Sequence, residues 1–493
     1  MLNSTRFLLF SVLTLFTDLA FSQTIPEKKF TEPYSPVFVV NGFVNFSAAQ
    51  RNQENSFEEA NLPDAMTSNY MSNPQVIGND SQFFFKTAVI DESRAKYGAV
   101  AKVEFNFNSD GRNENPNLDQ AFLFSEQQFG KFELGNNQAV NQKMKTGPAR
   151  FARAAGGING KYLESVNMPM LANSSQSTSA VCSGGVGSAA CSNVKLPRFI
   201  LLAQSPIGHG GYAKSFYRRG ADNAYQSASP DYNDFNRSHF RALKDDSFDG
   251  VEDATKISYY TPRIEGLQLG ASYTPTSANS GFTADTALDV DLMQITNIVS
   301  FGANYSEDFD NLGVTISATS ENGQVKNSKS AEGVERSNLA AYDFATTLSY
   351  FGFTIGASYG SWGKSLQPKN GIYSCNYNSS LSLSDQTCTN DAEKFKNPYY
   401  FTTGIAYSFG PISASITSIK SQFQKNNYEA VSLGLDYKLS RDLMPYFEFT
   451  KFSFKSNQSN TSDTVNQSTI ASNQAQVRDN QGYVFLTGIL ISF

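Results

Sequence analysis

Hydrophobic and polar residues alternate along many short segments of the chain. In RAKYGAVAKVEFNFN, residues 94–108, one face carries apolar side chains from Tyr97 to Phe107. The opposite face carries Arg94, Lys96, Lys102, Glu104 and Asn106. A period of two is the pattern of β-strands with one apolar face. The sequence therefore predicts amphipathic strands over much of its length.

Sixteen segments show this alternation, and their spacing is uneven. They lie near residues 37–48, 81–90, 94–108, 118–126, 129–136, 254–261, 265–275, 291–306, 309–320, 338–350, 353–363, 397–409, 411–420, 426–440, 443–455 and 481–493. Tight turns such as Asp91–Ser93 and Ser440–Asp442 separate some neighbours, whereas most other gaps are long. The longest gap is 137–253.

Two fold classes fit any single strand of this kind. A soluble β-sandwich buries the apolar faces against each other, whereas a membrane barrel turns them to lipid and lines its lumen with polar residues. Alternating short and long connections favour an all-β, 16-stranded antiparallel transmembrane β-barrel over 37–493, with short periplasmic turns and long extracellular loops. In a closed barrel the last strand pairs with the first. This is the expected role of the final apolar alternation, GYVFLTGILISF.

The N-terminus has the pattern of a secretory signal peptide. Arg6 precedes the apolar segment Phe7–Phe16, and Ala20–Ser22 offers small residues for cleavage. Residues 1–22 are therefore predicted to be a signal peptide, and 23–36 an N-terminal linker. A retained anchor helix is the alternative, but the apolar segment is shorter than the roughly 20 residues that span a bilayer.

Composition agrees with an exported β-protein. The chain has 493 residues, of which 17% are charged, with 40 phenylalanines and 24 tyrosines. Aromatic residues favour strands. The net charge of −6 argues against nucleic acid as a partner.

Four cysteines are arranged as two local pairs in polar stretches. They are Cys182 with Cys191, and Cys375 with Cys388. Two disulfides are predicted for an oxidising compartment, and four free thiols are the alternative.

An acidic segment, DDSFDG at 245–250, resembles the front half of a calcium loop. Lys256 stands where an EF-hand has its last Glu, so that motif fails. No metal site is predicted, and Asp245 and Asp249 stay as candidate calcium ligands only. The alternative is an acidic surface that faces a basic cluster.

Three parts of the sequence resemble, in the same order, the trimeric general porins of Gram-negative bacteria, most of all the alphaproteobacterial members. They are DQAFLFSEQQFGKFELGNNQ (119–138), KISYYTPRIEGLQLGASYTP (256–275), and LGLDYKLSRDLMPYFEFTKF (433–452) with the terminal GYVFLTGILISF. The resemblance implies an outer-membrane homotrimer that forms a water-filled channel for passive diffusion of small hydrophilic solutes and ions. It implies no enzymatic activity and no cofactor.

The resemblance also implies roles for particular residues. The terminal strand would be the signal that the barrel-assembly machinery reads, through Tyr483, Phe485, Ile489, Ile491 and Phe493. In this family the third loop folds inward and narrows the channel. Here that loop begins with a basic run: Lys143, Lys145, Arg150, Arg153 and Lys161. The opposite lumen wall is predicted to carry Lys86, Arg94, Lys96, Lys102 and Glu104.

These charges predict a weak preference for anions, because clustered charges of one sign enrich counter-ions in a narrow lumen. The glycines of GGING, 156–160, permit the sharp fold that the loop needs. A solvated loop surface is the alternative.

The alternatives to a pore are a barrel enzyme and a surface-exposed barrel that acts mainly as an adhesin or as a structural outer-membrane protein. A barrel enzyme would need His, Ser or Asp grouped at the rim, and the two histidines are His209 and His239, without a nucleophile motif around them. A surface adhesin, using the long Asn/Ser-rich loops, is compatible with a pore. The aromatic residues Tyr259–Tyr260, Tyr399–Tyr400 and Trp362 lie near predicted strand ends and are candidates for interfacial girdles.

Overall fold

The computed structural model describes the barrel wall and part of the third loop. The described residues are 36–54, 75–108, 117–152, 154, 156–160, 162–163, 166, 171–172, 199–206, 254–276, 294–326, 337–365, 373–376, 387–390, 397–423, 426–455, 476–477 and 479–493. Several predicted features lie outside them: the signal peptide 1–22, linker residues 23–35, Arg153, Lys161, Cys182, Cys191, Asp245, Asp249 and both histidines.

Sixteen strands close into one antiparallel barrel, which confirms the predicted fold class. In chain order they are β1 Val37–Gln53, β2 Gln75–Ile90, β3 Lys96–Asn108, β4 Asn117–Gln127, β5 Gly130–Asn136, β6 Thr255–Tyr260, β7 Leu267–Thr276, β8 Gln294–Phe309, β9 Leu312–Lys326, β10 Leu339–Tyr350, β11 Phe353–Ser361, β12 Tyr399–Phe409, β13 Ile412–Phe423, β14 Asn426–Tyr437, β15 Leu443–Lys455 and β16 Asn480–Ser492. Each strand pairs with its neighbours in sequence, and β16 also pairs with β1. Closure leaves no open sheet edge in this barrel.

The connections differ between the two ends of the barrel. At one end they are 91–95, 128–129, 261–266, 310–311, 351–352, 410–411 and 438–442. At the other end the strands are separated by 54–74, 109–116, 137–254, 277–293, 327–338, 362–398 and 456–479, with 424–425 as a short exception. We call these the short-turn end and the long-loop end.

The two faces of the wall have opposite character. Leu269, Phe344 and Ile416 point outward and are 48%, 55% and 51% exposed. Small polar residues take the inward positions, among them Ser258, Ser300, Ser317, Ser358, Thr402, Ser415, Ser432 and Thr450. Apolar residues outside and polar residues inside are the arrangement of a barrel that faces lipid around a wet lumen.

The turn before β3 corrects one predicted boundary. Arg94 lies in this turn with a φ of 65°, and β3 begins at Lys96. The Asp91 carboxylate accepts hydrogen bonds from the Ser93 hydroxyl (2.7 Å) and the Ala95 N–H (2.8 Å), which closes the turn and delays the strand. The hydrogen bonds that the Asp91 carboxylate accepts from the Ser93 hydroxyl and from the Ala95 and Ser93 N–H groups hold the pKa of Asp91 below its usual value.

Little else in the described part is regular structure. One helical turn, α1 Val140–Lys143, and the 3₁₀ turns Pro148–Arg150 and Gly157–Asn159 follow β5. Leu171–Ala172 pairs with Gln476–Val477, and Tyr373–Asn376 pairs with Thr387–Asn390. No helix in the described ranges has the length and apolarity needed to cross a membrane.

Candidate functional site: the pore constriction

The chain that follows β5 turns into the barrel and runs along its inner wall. We call residues 137–163 the lumen segment. Near its start, the Val140 N–H donates to Ser272 Oγ on β7 (3.3 Å), and the Thr146 N–H donates to Ser317 Oγ on β9 (3.0 Å). Between them, Asn304 Nδ2 on β8 donates to the Met144 carbonyl (3.1 Å). The segment therefore crosses three strands on their inward faces.

Two glycines bend the lumen segment where it lies against β15 and β1. Gly156 and Gly157 have φ values of 86° and 57°, which glycine adopts without the penalty that other residues meet. The Gly157 N–H donates to Glu448 Oε2 on β15 (2.9 Å). Asn45 Nδ2 on β1 donates to the Ala154 carbonyl (3.1 Å). The sharp fold expected for GGING is thus present.

A hydrophobic cluster holds the far part of the third loop against the wall. On the loop side it contains Ile158, Tyr162, Leu163, Val166, Phe199, Ile200, Leu201 and Ala203. On the wall side it includes Ile419, Phe423, Tyr428, Phe452, Phe454, Val484 and Leu486. The Tyr162 hydroxyl contacts the Tyr428 hydroxyl, and burial raises the pKa of Tyr162 well above its usual value. Burial of apolar area here favours the docked loop.

Lys143 is anchored to the inner wall at β5. Its Nζ lies 2.5 Å from Glu133 Oε2 on β5. Lys131 Nζ lies 2.8 Å from the other oxygen of the same carboxylate, and Asn137 Nδ2 donates to Glu133 Oε2 at 2.7 Å. Glu133 is almost fully buried, so its charge needs these partners.

Lys145 joins the lumen segment to β10, the strand next to β9, and to a second part of the loop. Its Nζ lies 3.0 Å from Asp343 Oδ2 on β10, and it also donates to the Tyr400 hydroxyl and the Ala203 carbonyl. The Tyr400 hydroxyl donates to Asp343 Oδ2 at 2.5 Å. We call Lys145, Asp343 and Tyr400 the lumen latch. Beside it, Trp362 Nε1 donates to the Gln204 carbonyl (2.8 Å).

A polar cavity of about 90 Å³ lies between the lumen segment and the wall at β9–β12. Asn141, Gln142, Gln204, Glu321 and Asp343 are among its lining residues. A polar space of this size has room for several water molecules. The lumen segment therefore contacts the wall through separate hydrogen bonds and ion pairs, and a cavity separates the two surfaces between some of these contacts.

The predicted lumen-wall residues fall on neighbouring strands. Lys86 lies on β2, with its Nζ 5.3 Å from the centre of the Phe124 ring. Lys102 Nζ on β3 lies 2.5 Å from Glu104 Oε1, which also accepts from Gln82 Nε2 at 2.5 Å. Lys96 begins β3 and is half-buried. Arg94 is the exception, because it is exposed in the short turn and does not lie on the wall.

Several residues of this site were missed in the sequence. Glu133, Asp343 and Tyr400 provide the wall contacts of the two lysines, and they lie on inward positions of their strands, where the alternation shows a lumen-facing residue but not its partner. Arg150 is in the described backbone, within the turn Pro148–Arg150. Arg153 and Lys161 lie outside the described residues.

The girdle prediction is wrong for three of its five residues. Trp362, Tyr260 and Tyr400 are buried, at 2%, 7% and 1% exposure. The period of two explains this, because two adjacent tyrosines point to opposite faces of a strand. Tyr259 is the outward member of its pair and contacts Phe132, with ring centres 4.7 Å apart.

Comparison with solved structures returns porins. An anion-selective porin from Comamonas acidovorans aligns over 93% of this chain and 100% of its own, with a TM-score of 0.47 and 12% identity. A triple mutant of the Rhodopseudomonas blastica porin aligns over the same shares with a TM-score of 0.43 and 10% identity.

Among curated proteins, the similar sequences come from Rickettsia. An uncharacterized protein of Rickettsia bellii is 29% identical over 51% of this chain and 63% of its own length. One from Rickettsia conorii is 28% identical over 55% of this chain and 66% of its own. The chain thus matches less than two thirds of the length of either relative.

A sequence model of one protein family matches residues 211–457, half of the chain, and its description is "Gram-negative porin". This match covers β6 to β15 of the barrel and is independent of the segments 119–138 and 482–493, which carry part of the resemblance. By this match the chain belongs to the Gram-negative porin family.

Proposed function

We propose that this chain is an outer-membrane porin, a water-filled channel through which small hydrophilic solutes and ions diffuse passively. The observation that carries the proposal is a closed barrel with an apolar outer face, a polar inner wall and a loop folded against that wall. Membership of the Gram-negative porin family supports the outer membrane as the location. No covalent chemistry and no cofactor are part of the proposal.

In this proposal the lumen segment sets the width of the channel. Lys143 and Lys145 anchor it at two separate strands of the barrel, β5 through Glu133 and β10 through Asp343. Lys86, Lys96, Lys102 and Glu104 line the facing wall. A buried charge left without its partner is costly, so each pair favours the docked position of the loop.

The same pairs predict weak ion selectivity. Lys143, Lys145 and Lys102 each lie beside a carboxylate. Opposite charges this close cancel beyond the screening length, about 8 Å at physiological salt. Among the predicted basic residues with described side chains, the weak anion preference expected from the sequence then depends on Lys86 and Lys96. The reversal potential across a salt gradient, for the parent and for Lys86→Gln, measures this.

We also propose a homotrimer whose terminal strand is recognised by the barrel-assembly machinery. Tyr483, Phe485, Ile489, Ile491 and Phe493 form an exposed apolar stripe on that strand, which supports such a signal. Migration in SDS before and after heating tests the trimer. A single monomer band in unheated samples would contradict it.

Liposome swelling tests the channel itself. Purified protein is reconstituted into liposomes that are then placed in isotonic solutions of neutral sugars of increasing size. We expect swelling that slows as the sugar becomes larger, because a narrow wet lumen sieves by size. Swelling no faster than in protein-free liposomes, with β-structure verified in the same preparation, would contradict the proposal.

A further inference from the structure

A row of tyrosines marks one level on the outer face near the long-loop end. Tyr342 on β10, Tyr359 on β11 and Tyr399 on β12 are neighbours, with ring centres 6.5 Å apart for the first two and 6.2 Å for the last two. Tyr342 and Tyr359 are 43% and 40% exposed. Outward tyrosines near strand ends are typical of the interface between lipid tails and headgroups.

Three lysines continue this level on the strands that follow. Lys420 on β13 pairs in register with Phe401, two residues along β12 from Tyr399. Lys451 on β15 pairs with Val431 and Tyr483, and Lys455 pairs with Asn427. Phe401, Val431 and Tyr483 are exposed apolar residues of the outer face. The three lysines therefore point outward, at the border of the apolar surface nearest the long-loop end.

The local charge is positive. Lys420 Nζ lies 2.7 Å from Glu429 Oε1, and the two side chains are 60% and 52% exposed. An ion pair this exposed contributes little stability and leaves the ammonium group open to other partners. Three lysines and Glu429 give a formal charge of +2, since +3 and −1 sum to +2. Glu54, which accepts from Gln481 Nε2 at 2.6 Å on the β1 side, lowers the sum for the wider patch to +1.

The connection above Lys420 has few residues. β13 and β14 are joined by residues 424–425, the short exception at the long-loop end. Gln422 Nε2 donates to Asn427 Oδ1 at 3.0 Å, so the outer face is polar immediately above Lys420. Headgroups can therefore reach Lys420 from the side without passing under a long loop between β13 and β14.

We propose that Lys420, Lys451 and Lys455 form a binding site for the phosphate groups of anionic lipids, with Tyr399 and Tyr483 packing beside the acyl chains. The site rests on the proposed membrane location, because it needs the outer face to meet lipid. Lysines at this depth extend their ammonium groups to the phosphate level while their methylene stems stay in the apolar layer. Each such lysine contributes about fivefold to the affinity for an anionic surface.

The test uses intact protein in a nonionic detergent and native mass spectrometry. The probe is dihexanoyl phosphatidic acid, compared with dihexanoyl phosphatidylcholine and with inorganic phosphate at equal concentration. We expect the phosphatidic acid to bind most tightly to the parent. The triple variant Lys420→Gln, Lys451→Gln, Lys455→Gln should bind it at least tenfold more weakly.

Glu429→Gln provides a matched control, because it breaks the same ion pair as Lys420→Gln and changes the charge in the opposite direction. We expect Glu429→Gln to strengthen binding of the phosphatidic acid several-fold and Lys420→Gln to weaken it. If both variants weaken binding equally, the effect is loss of local structure and the proposal fails.

Other outcomes also contradict the site. Equal binding of phosphatidylcholine would show a merely apolar surface, and equal binding of inorganic phosphate would show an anion site without lipid. A change of oligomeric state in the triple variant, with lipid binding unchanged, would make the patch a contact between copies. Swelling rates of the same preparations report the channel separately, so failure of one proposal is distinguishable from failure of the other.

Discussion

The backbones of Phe493 and Gly42 exchange two hydrogen bonds, at 3.0 Å from the Gly42 N–H and 3.1 Å from the Phe493 N–H. The Phe493 ring lies 5.4 Å from the Phe83 ring on β2, centre to centre. The last residue of the sequence thus completes the seam between β16 and β1 and contacts the next strand as well. A residue in this place affects closure of the barrel and not only its local packing.

Deletion of Phe493 should reduce barrel assembly. It removes the two hydrogen bonds between Phe493 and Gly42, at one end of the β16–β1 seam, and the contact with Phe83, while the predicted signal peptide is unchanged. We expect normal export and a several-fold lower amount of folded, heat-modifiable protein in the outer membrane. Phe409→Ala is the matched control, since Phe409 is 69% exposed at the same end but not at the seam. Assembly of the deletion variant at the parental level would contradict this role.

The lumen latch should control the position of the loop. Lys145→Met leaves the buried Asp343 carboxylate without its cation, which costs about 3 kcal/mol for a buried pair. We expect larger and noisier single-channel currents, because the undocked loop no longer narrows the lumen. The double variant Lys145→Met, Asp343→Asn should be closer to the parent than Lys145→Met alone. Parental currents in Lys145→Met would show that the latch has no such role.

Gly157 should matter for the same reason, without any change in charge. Alanine at its φ of 57° costs about 1–2 kcal/mol, and an added Cβ would lie 3.1 Å from the Ala152 and Thr417 side chains. We expect Gly157→Ala to raise the mean conductance.

Gly410→Ala is the control for backbone strain. Gly410 has a φ of 56° in a short turn, and nothing lies within 4 Å of an added Cβ. The conductance of Gly410→Ala should equal that of the parent. If Gly157→Ala and Gly410→Ala changed the conductance equally, the effect would come from backbone strain in general and not from the lumen segment.

The second cysteine pair should form a disulfide. Cys375 and Cys388 are directly opposite in the short antiparallel ladder of residues 373–376 and 387–390. Opposite residues in such a ladder have Cα atoms about 4.5–5.5 Å apart, within the range for disulfides. Peptide mapping without reductant should recover a linked pair containing both residues. Complete alkylation of both thiols before reduction would contradict the bond.

The sequence predicted the barrel well because lipid imposes a period of two on every strand. It failed where that constraint ends. β2 begins at Gln75, six residues before the predicted start at 81, because QVIGND at 75–80 does not show a regular alternation of apolar and polar residues. Phe452 and Phe454 point inward although they are aromatic, because a docked loop covers them. Phe447 and Phe449 on the same strand take the outward positions, as the alternation predicts. Two phenylalanines on the inward positions of that strand were therefore the signal in the sequence that a loop covers this part of the wall.

The site was harder to predict than the wall. The basic run at the start of the third loop indicated the lumen segment, and the glycines of 156–160 indicated its fold. The partners of those lysines were not predictable, because Lys145 and Asp343 are far apart in the sequence and are brought together by the barrel. An inward aspartate in YDFATTLSY resembles any other lumen residue until the loop lies beside it.

The conductance of purified protein in a planar lipid bilayer tests the central claim most directly. A water-filled barrel narrowed by a docked loop should give discrete current steps that increase with salt concentration and show weak ion selectivity. Gly157→Ala should give larger steps than the parent under the same conditions. Protein that inserts with its β-structure intact and gives no current steps would contradict the account.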